Sequence, residues 1–281
     1  MDQHVPIRPY EAEEADQRLV RHTLNLIAND YTNILVRTID TDVLILLVSY
    51  ISKQKLDENV TINAYLINSD KYYNIKTIIC TLGPDICRAL PFFYAFSGCD
   101  TVSSFYGKCK CKMFDVWLES IYRDELTELF IKLGESPLEV TPNQMDLLEK
   151  HVLELYGYRD ISLAAARLDK FNKSNDNDLR SLPPSKDALR QHVLRACYQA
   201  GYLWRQSIGE LHIPDPKDWG LELETVGAFF NPVLTTEKSP VTITEFIKTC
   251  SCKTGKCKIC SCATAKLQCL SMCRCSRACQ K

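Results

Sequence analysis

The sequence lacks the short signatures of several large enzyme classes. No G-x-x-x-x-G-K-[ST], G-x-S-x-G or H-E-x-x-H occurs in its 281 residues, so P-loop nucleotide hydrolysis, serine hydrolysis and zincin chemistry have no support. No run of eighteen apolar residues occurs either, the longest being Val43 to Ile51, which is too short for a membrane span. The N-terminus is polar and acidic where a secretory leader would be basic and then apolar, so an intracellular protein is expected. Charge of one sign is not in excess. The 34 Lys and Arg nearly cancel the 35 Asp and Glu, which excludes a wholly basic nucleic-acid coat. Histidine is scarce: the five are dispersed, and His192 reads as a surface or core residue rather than a catalyst.

Cysteine, in contrast, is abundant and unevenly placed. Of the 15, nine lie between Cys250 and Cys279, while Cys80, Cys87, Cys99, Cys109, Cys111 and Cys197 are scattered through the body. In a reducing compartment such density points to metal rather than disulfides. The spacing is C-x-C-x4-C-x2-C-x-C-x6-C-x3-C-x-C-x3-C, through Cys250, Cys252, Cys257, Cys260, Cys262, Cys269, Cys273, Cys275 and Cys279. Thiolates with no interleaved histidine favour zinc over magnesium or calcium, and a closed thiolate site is structural. Three tetrahedral zincs need about twelve bonds, which nine thiolates supply if three of them bridge. The tail is also basic. After Glu245 there is no acidic side chain, while Lys248, Lys253, Lys256, Lys258, Lys266, Arg274, Arg277 and Lys281 are all positive. With three zincs on nine thiolates the tail nets roughly +5, the sign that phosphates attract. A structural knot or a partner-binding knuckle has the same pattern, so both readings stand.

The body alternates strand and helix signals before turning helical. Residues 11 to 28 suit an amphipathic helix, Ile34 to Val36 a short strand, and Val43 to Ile51 a buried helix or strand. Thr61 to Ile67 alternates as a second strand, Tyr73 to Ile79 is ambiguous, and Pro84 opens a helix containing Ile86 and Leu90. Pro91 starts or kinks the segment that follows. Helices are expected over Phe114 to Leu133, Asn143 to Leu155 and Asp187 to Trp204, the last capped by Ser185. Asn172 to Pro184 reads as a polar linker, and residues 212 to 242 as a loose connection to the tail. Cys109 and Cys111 read as free thiols. Strands alternating with helices imply an α/β fold with a parallel sheet.

Carboxylates fall where this reading puts the ends of elements. Glu14 and Asp16 lie near the start of the first helix, Asp40 and Asp42 follow the first strand, and Asp100 closes Ser97-Gly98-Cys99-Asp100. In open α/β sheets ligands sit at the carboxyl ends of strands. Carboxylates gathered there raise one another's pKa unless cations neutralise them, as magnesium or manganese would. Two such ions suit phosphodiester cleavage. Ordinary helix-end chemistry is the competing account: Glu13 and Glu14 can serve a helix dipole, and Asp40 or Thr41 can cap the next helix.

The order E-x-D, T-x-D-x-D, G-C-D is similar to the internal region of flap-endonuclease-like nucleases of the PIN superfamily. Over nearly the whole chain, Glu13 to Leu19, Asp40 to Leu44, Phe96 to Lys108 and Leu182 to Arg190 resemble a group of animal proteins with the same motifs. This resemblance implies a PIN-like parallel sheet flanked by helices and lacking its N-terminal strand, with Glu14, Asp16, Asp40, Asp42 and Asp100 as magnesium or manganese ligands. It also implies a phosphate-binding turn at Lys108, Lys110 and Lys112, with Cys109 where the group has a second glycine. The tail resembles the tesmin-type CXC module, which holds three zincs and binds DNA. That likeness assigns Lys253, Lys256, Lys258, Lys266 and Arg274 to DNA, with Ile259 standing where that family has a tyrosine. The expected organisation is a nuclease-like domain over 1–112, a helical extension over 113–211, a linker over 212–246 and the CXC module over 247–281. The expected function is that of a nuclear, DNA-associated protein with a divalent-metal nuclease-like domain. The alternative is a non-catalytic DNA- or protein-binding protein that uses only the tail.

Overall fold

A computed structural model describes residues 15–136, 139–173, 179–208, 212–224, 229–237, 250, 261–264 and 273. The chain divides into two compact units, Met1–Leu234 and Thr235–Lys281. The first is mixed α/β and mostly helical, and its sheet is small.

Helix α1 (Ala15–Ala28) leads into strand β1 (Asn33–Thr38), helix α2 (Thr41–Ile51) and strand β2 (Thr61–Leu66). β1 and β2 pair in parallel, from Asn33 opposite Thr61 to Thr38 opposite Leu66. Ile34, Val36 and Thr38 point into the core while Asn33, Leu35 and Arg37 face solvent, so only one face of this strand is covered. The apolar run from Val43 becomes a helix rather than a strand because Asp40 caps it: the Asp40 side chain accepts from the Asp42 backbone N–H at 2.9 Å.

The ambiguous segment around residue 75 contains two elements. Strand β3 (Lys71–Asn74) pairs antiparallel with β2, and helix α3 (Ile75–Leu82) starts at once. Asn74 caps α3 by accepting from the Thr77 N–H at 2.9 Å. The sheet order is β1-β2-β3. It is therefore mixed rather than wholly parallel, because the four-residue connection before β3 is too short for a crossover and can only reverse the chain.

Helix α4 (Pro84–Phe96) is buried nearly all round, as a central helix must be. Pro84 occupies its first turn as expected, and Pro91 lies inside the helix instead of dividing it. Phe92 stacks on Phe96 and packs against Phe130, and Phe93 stacks on Trp117. Truncating a buried phenylalanine of this kind costs about 3–5 kcal/mol.

The expected single helix from Phe114 to Leu133 is two, α5 (Lys110–Glu119) and α6 (Arg123–Glu135). Ser120 takes an extended conformation and its hydroxyl accepts from the Tyr122 N–H, ending one helix and setting the other. Trp117 and Phe130 then meet across the break, with the indole N–H on Thr127 Oγ1 at 3.2 Å. Helix α7 (Pro142–Leu155) begins with a capping box between Thr141 and Gln144. Helix α8 (Leu163–Lys173) follows, and its last two residues reach into the stretch read as linker. Helix α9 (Lys186–Tyr198) is capped by Ser185 as expected, then widens into a π-helical turn over Gln199–Leu203. Residues after 212 are not wholly loose. Leu221–Leu223 and Phe230–Pro232 form a short antiparallel pair, β4 and β5. One hydrophobic core runs through all of this, from Val20 to Trp219. No single helix among the described residues is long and apolar enough to cross a membrane.

Candidate functional site

The carboxyl end of β1 is the natural place to look for chemistry, and an open cleft of about 500 Å³ lies there. Asp40, Thr41 and Asp42 line it from the β1–α2 junction, Tyr94 from α4, Gly98 to Asp100 from the turn after α4, and Lys110 from the start of α5. Asp16, on the first turn of α1, is close enough for the charges of Asp40 and Asp100 to act on it. Four of the five sequence-selected carboxylates therefore converge from three separate chain segments. Glu14 lies outside the described residues.

Crowding shows in their acidity. Burial first, then the charge of Asp40, pushes Asp42 up to about 7, while the Tyr94 hydroxyl and Lys110 pull in the other direction. Asp16 is raised by burial and then by Asp40 and Asp100. A proton or a hard cation relieves such a cluster, and the all-oxygen carboxylate set fits magnesium or manganese. Asp40 meanwhile keeps its structural duty as helix cap, so the capping reading and the cleft reading hold for the same side chain. One oxygen serves the backbone. A carboxylate has a second.

The turn that carries Asp100 is tied down from several sides. Gly98 has φ +108, and a Cβ there would lie 2.7 Å from the Ser104 Cβ, so only glycine fits. Cys99 and Val102 exchange backbone hydrogen bonds at 2.9 and 3.2 Å. The Thr101 hydroxyl donates to Gln199 Oε1 at 2.7 Å, from the π-helical turn. His192 bridges Phe96 O at 2.7 Å and the Ser103 hydroxyl at 3.2 Å, and burial holds it down to about 4, so it is a neutral structural histidine. Lys110 donates to Tyr94 O at 3.1 Å, to Ser97 Oγ at 3.3 Å and to Gly98 O, closing the carbonyl end of α4. Sequence reading assigned Lys110 to phosphate; in the fold its ammonium is spent on this turn. Lys108 and Lys112 lie on either side of it and are not. Cys109 caps α5 with its sulfur, and Cys111 is an exposed free thiol.

The second centre is in the tail. Cys250, Cys262 and Cys273 are buried, and their sulfurs all lie within 4.8 Å of one another. Cys262 Sγ and Cys273 Sγ are 3.7 Å apart, and the Cys250 N–H donates to the Cys273 sulfur at 3.5 Å. The edge of a tetrahedron with Zn–S bonds of about 2.3 Å is about 3.8 Å, so the spacing suits a shared metal. These three can hold a metal ion. The other six tail cysteines (Cys252, Cys257, Cys260, Cys269, Cys275 and Cys279) lie outside the described residues, as do Lys253, Lys256, Lys258, Lys266, Arg274 and Ile259.

No family model, curated protein or solved structure matches this chain. The sites therefore stand on their geometry.

Sequence reasoning missed Tyr94, Thr101, Ser103 and Gln199. Tyr94 faces the cleft, and its hydroxyl meets Thr41 Oγ1 at 2.5 Å; burial raises it to about 12. Its only sequence signal was a polar-tipped aromatic within an apolar helix. Thr101 and Ser103 lay inside the Phe96 to Lys108 motif with no role assigned, and Gln199 had no signal, since it acts across 98 positions of chain.

Proposed function

We propose that this is a DNA-associated protein whose body is a divalent-metal, nuclease-like domain of the PIN type and whose tail is a zinc module. The observation that carries the reading is the gathering of Asp40, Asp42 and Asp100 in one cleft at the carboxyl end of β1, with Asp16 close enough for the charges of Asp40 and Asp100 to act on it. In this reading the carboxylates hold magnesium or manganese, which supplies the activated water and steadies the leaving oxygen of a phosphodiester. Lys110, Gln199 and His192 act as positioning residues by holding the turn that bears Asp100. The tail's nine thiolates bind zinc, with Cys250, Cys262 and Cys273 as members of that set, and its lysines and arginine contact DNA in the nucleus.

The test is direct. Purified protein with Mg²⁺ or Mn²⁺ is expected to cut single-stranded or branched DNA, and the variant Asp40→Asn with Asp42→Asn is expected not to. Equal cutting by both would reject the enzyme reading. Isothermal titration with Mn²⁺ separates a dead site from an absent one, because a metal-binding but inactive cleft still gives a heat that the double variant loses.

One observation favours the binding-only alternative. Asp40 caps α2 through one of its oxygens, so the motif that contains it has a reason to exist without catalysis. Wild-type protein that binds DNA yet neither binds Mn²⁺ nor cleaves would establish that alternative.

A further inference from the structure

The three-stranded sheet ends on β1, and one side of that strand has no neighbouring strand among the described residues. Successive residues of a strand aim their backbone N–H and C=O groups to opposite sides. Thr32 O accepts from the Thr61 N–H at 2.6 Å, so the even-numbered residues of β1 bond to β2. The N–H and C=O groups of Asn33, Leu35 and Arg37 therefore point away from the sheet, and among the described residues no group bonds to them.

Open strands are ordinarily guarded by lysine, proline, a bulge or very short length. β1 has none of these guards. It runs for six residues with Ile34, Leu35 and Val36 at its middle, and its register with β2 is unbroken. Its single charge is turned aside, because the Arg37 guanidinium lies over the Tyr65 ring at 5.6 Å and Tyr65 in turn stacks on Tyr72 at 4.5 Å. Tyr65 is in register with both, so the row runs across the sheet and away from the open edge. On the same face Leu35 is 53% exposed, and Ile39 just beyond the strand is 65% exposed.

We propose that β1 pairs antiparallel with β1 of a second copy of this chain, about a two-fold axis at Leu35, so that the two sheets become one. About that axis Leu35 exchanges both backbone bonds with its twin, and Asn33 and Arg37 exchange theirs with Arg37 and Asn33 of the second copy. Charge sets this register. Arg37 comes opposite a neutral asparagine, and the two Arg37 positions stand about 13 Å apart along the pair, beyond the roughly 8 Å over which exposed charges act at physiological salt. A pair centred on Arg37 would set like charges face to face. Centring on Leu35 instead brings two exposed leucines together, with Cβ atoms about 5 Å apart. An apolar centre flanked by arginine is the composition of a protein contact, whereas a nucleic acid would meet a single arginine and a row of carbonyl oxygens. The pairing is independent of the metal and nuclease reading. Since the paired strands run in opposite directions, the clefts at their carboxyl ends open at opposite ends of the joint sheet.

The experiment is sedimentation velocity of the full chain, reduced and zinc-loaded, from about 1 to 100 µM, a range over which mass action reveals a dimer. Wild-type protein is expected to pass from monomer to twice the monomer mass and no further. Leu35→Pro removes the central outward N–H and leaves the bonds to β2 in place, and Leu35→Lys sets two like charges directly opposite. Each is expected to raise the dissociation constant at least about tenfold. Tyr72→Lys, on the same face but on β3, is expected to leave it unchanged. Circular dichroism checks that all three variants keep the wild-type helix content. Hydrogen exchange is expected to slow at high concentration in the peptide spanning 33–38 and not in that spanning 71–74. A wild-type chain still monomeric at about 100 µM would overturn the proposal. So would a dimer that keeps its affinity in both Leu35 variants, because the tail would then be the contact, or one that Tyr72→Lys weakens as much, because the open face would be. Protection of 33–38 that appears only with added oligothymidine or another protein would equally reject a second copy as the occupant.

Discussion

The two candidate centres of this chain are built in opposite ways. In the body, Asp16, Asp40, Asp42 and Asp100 span 84 positions and meet only because helices pack around α4. In the tail, Cys250, Cys262 and Cys273 lie within 23 positions of one another, in a segment with few large apolar residues to bury. The body's fold makes its site. The tail's sequence offers little apolar material, so a metal held by its cysteines would supply stability that burial cannot. Oxygen donors on a rigid scaffold bind a hard ion that comes and goes, whereas thiolates bind a soft one that stays.

That contrast can be broken most forcefully in the tail. Structural zinc contributes on the order of 10–16 kcal/mol in small zinc modules. Chelation, or Cys262→Ser with Cys273→Ser, is therefore expected to abolish tail order while leaving the thermal transition of the body in place, as read by calorimetry and by proteolysis. Metal analysis of intact protein is expected to give three zincs; two or fewer would reject the shared-thiolate arrangement.

The converse comes next in size. Phe92 is wholly buried between Phe96 and Phe130, so Phe92→Ala is expected to destabilise the body by about 3–5 kcal/mol in urea unfolding. Zinc content should not change. A drop in zinc would show that the tail depends on the body's core after all.

A smaller effect tests the rigidity of the acidic centre. Gly98→Ala must strain the backbone at φ +108 and push against Ser104, at a cost of about 1–3 kcal/mol. Mn²⁺ affinity should fall with it, because the turn that holds Asp100 moves. If stability falls and metal affinity does not, Asp100 is not a ligand.

The smallest expected effect is on pH, and solvent screening at this half-exposed site reduces it further. Asp42 titrates near 7 when folded against 3.8 ordinarily, so between about pH 4 and 7 the folded state keeps a proton that the unfolded state has lost. The contribution of Asp42 to stability is thus fully present below about pH 4 and is lost as pH rises through about 7. Thermal melts across that range should flatten in Asp42→Asn and also with saturating Mn²⁺, since the cation replaces the proton.

Much of this was readable in the residues alone. Ser185, Pro84 and the Thr61 strand are settled by signals that act within a turn or two, and they appear where expected. The apolar run at Val43 was ambiguous until Asp40 capped it, and Tyr73 to Ile79 was ambiguous because a four-residue strand gives way to an eight-residue helix within it. The split at Ser120 escaped notice because apolar periodicity continues across it.

For function the division falls elsewhere. Cysteine spacing, the basic tail and the three acidic motifs are properties of the sequence by itself, because ligand type and charge belong to each residue wherever it sits. Only the tertiary structure decided that Asp16 lies near Asp40 and Asp100, and that Lys110 donates to Tyr94 O at the end of α4 and to the turn after it. Those outcomes depend on which helices cross and how closely. Long-range packing around α4 sets that, and no local pattern encodes it.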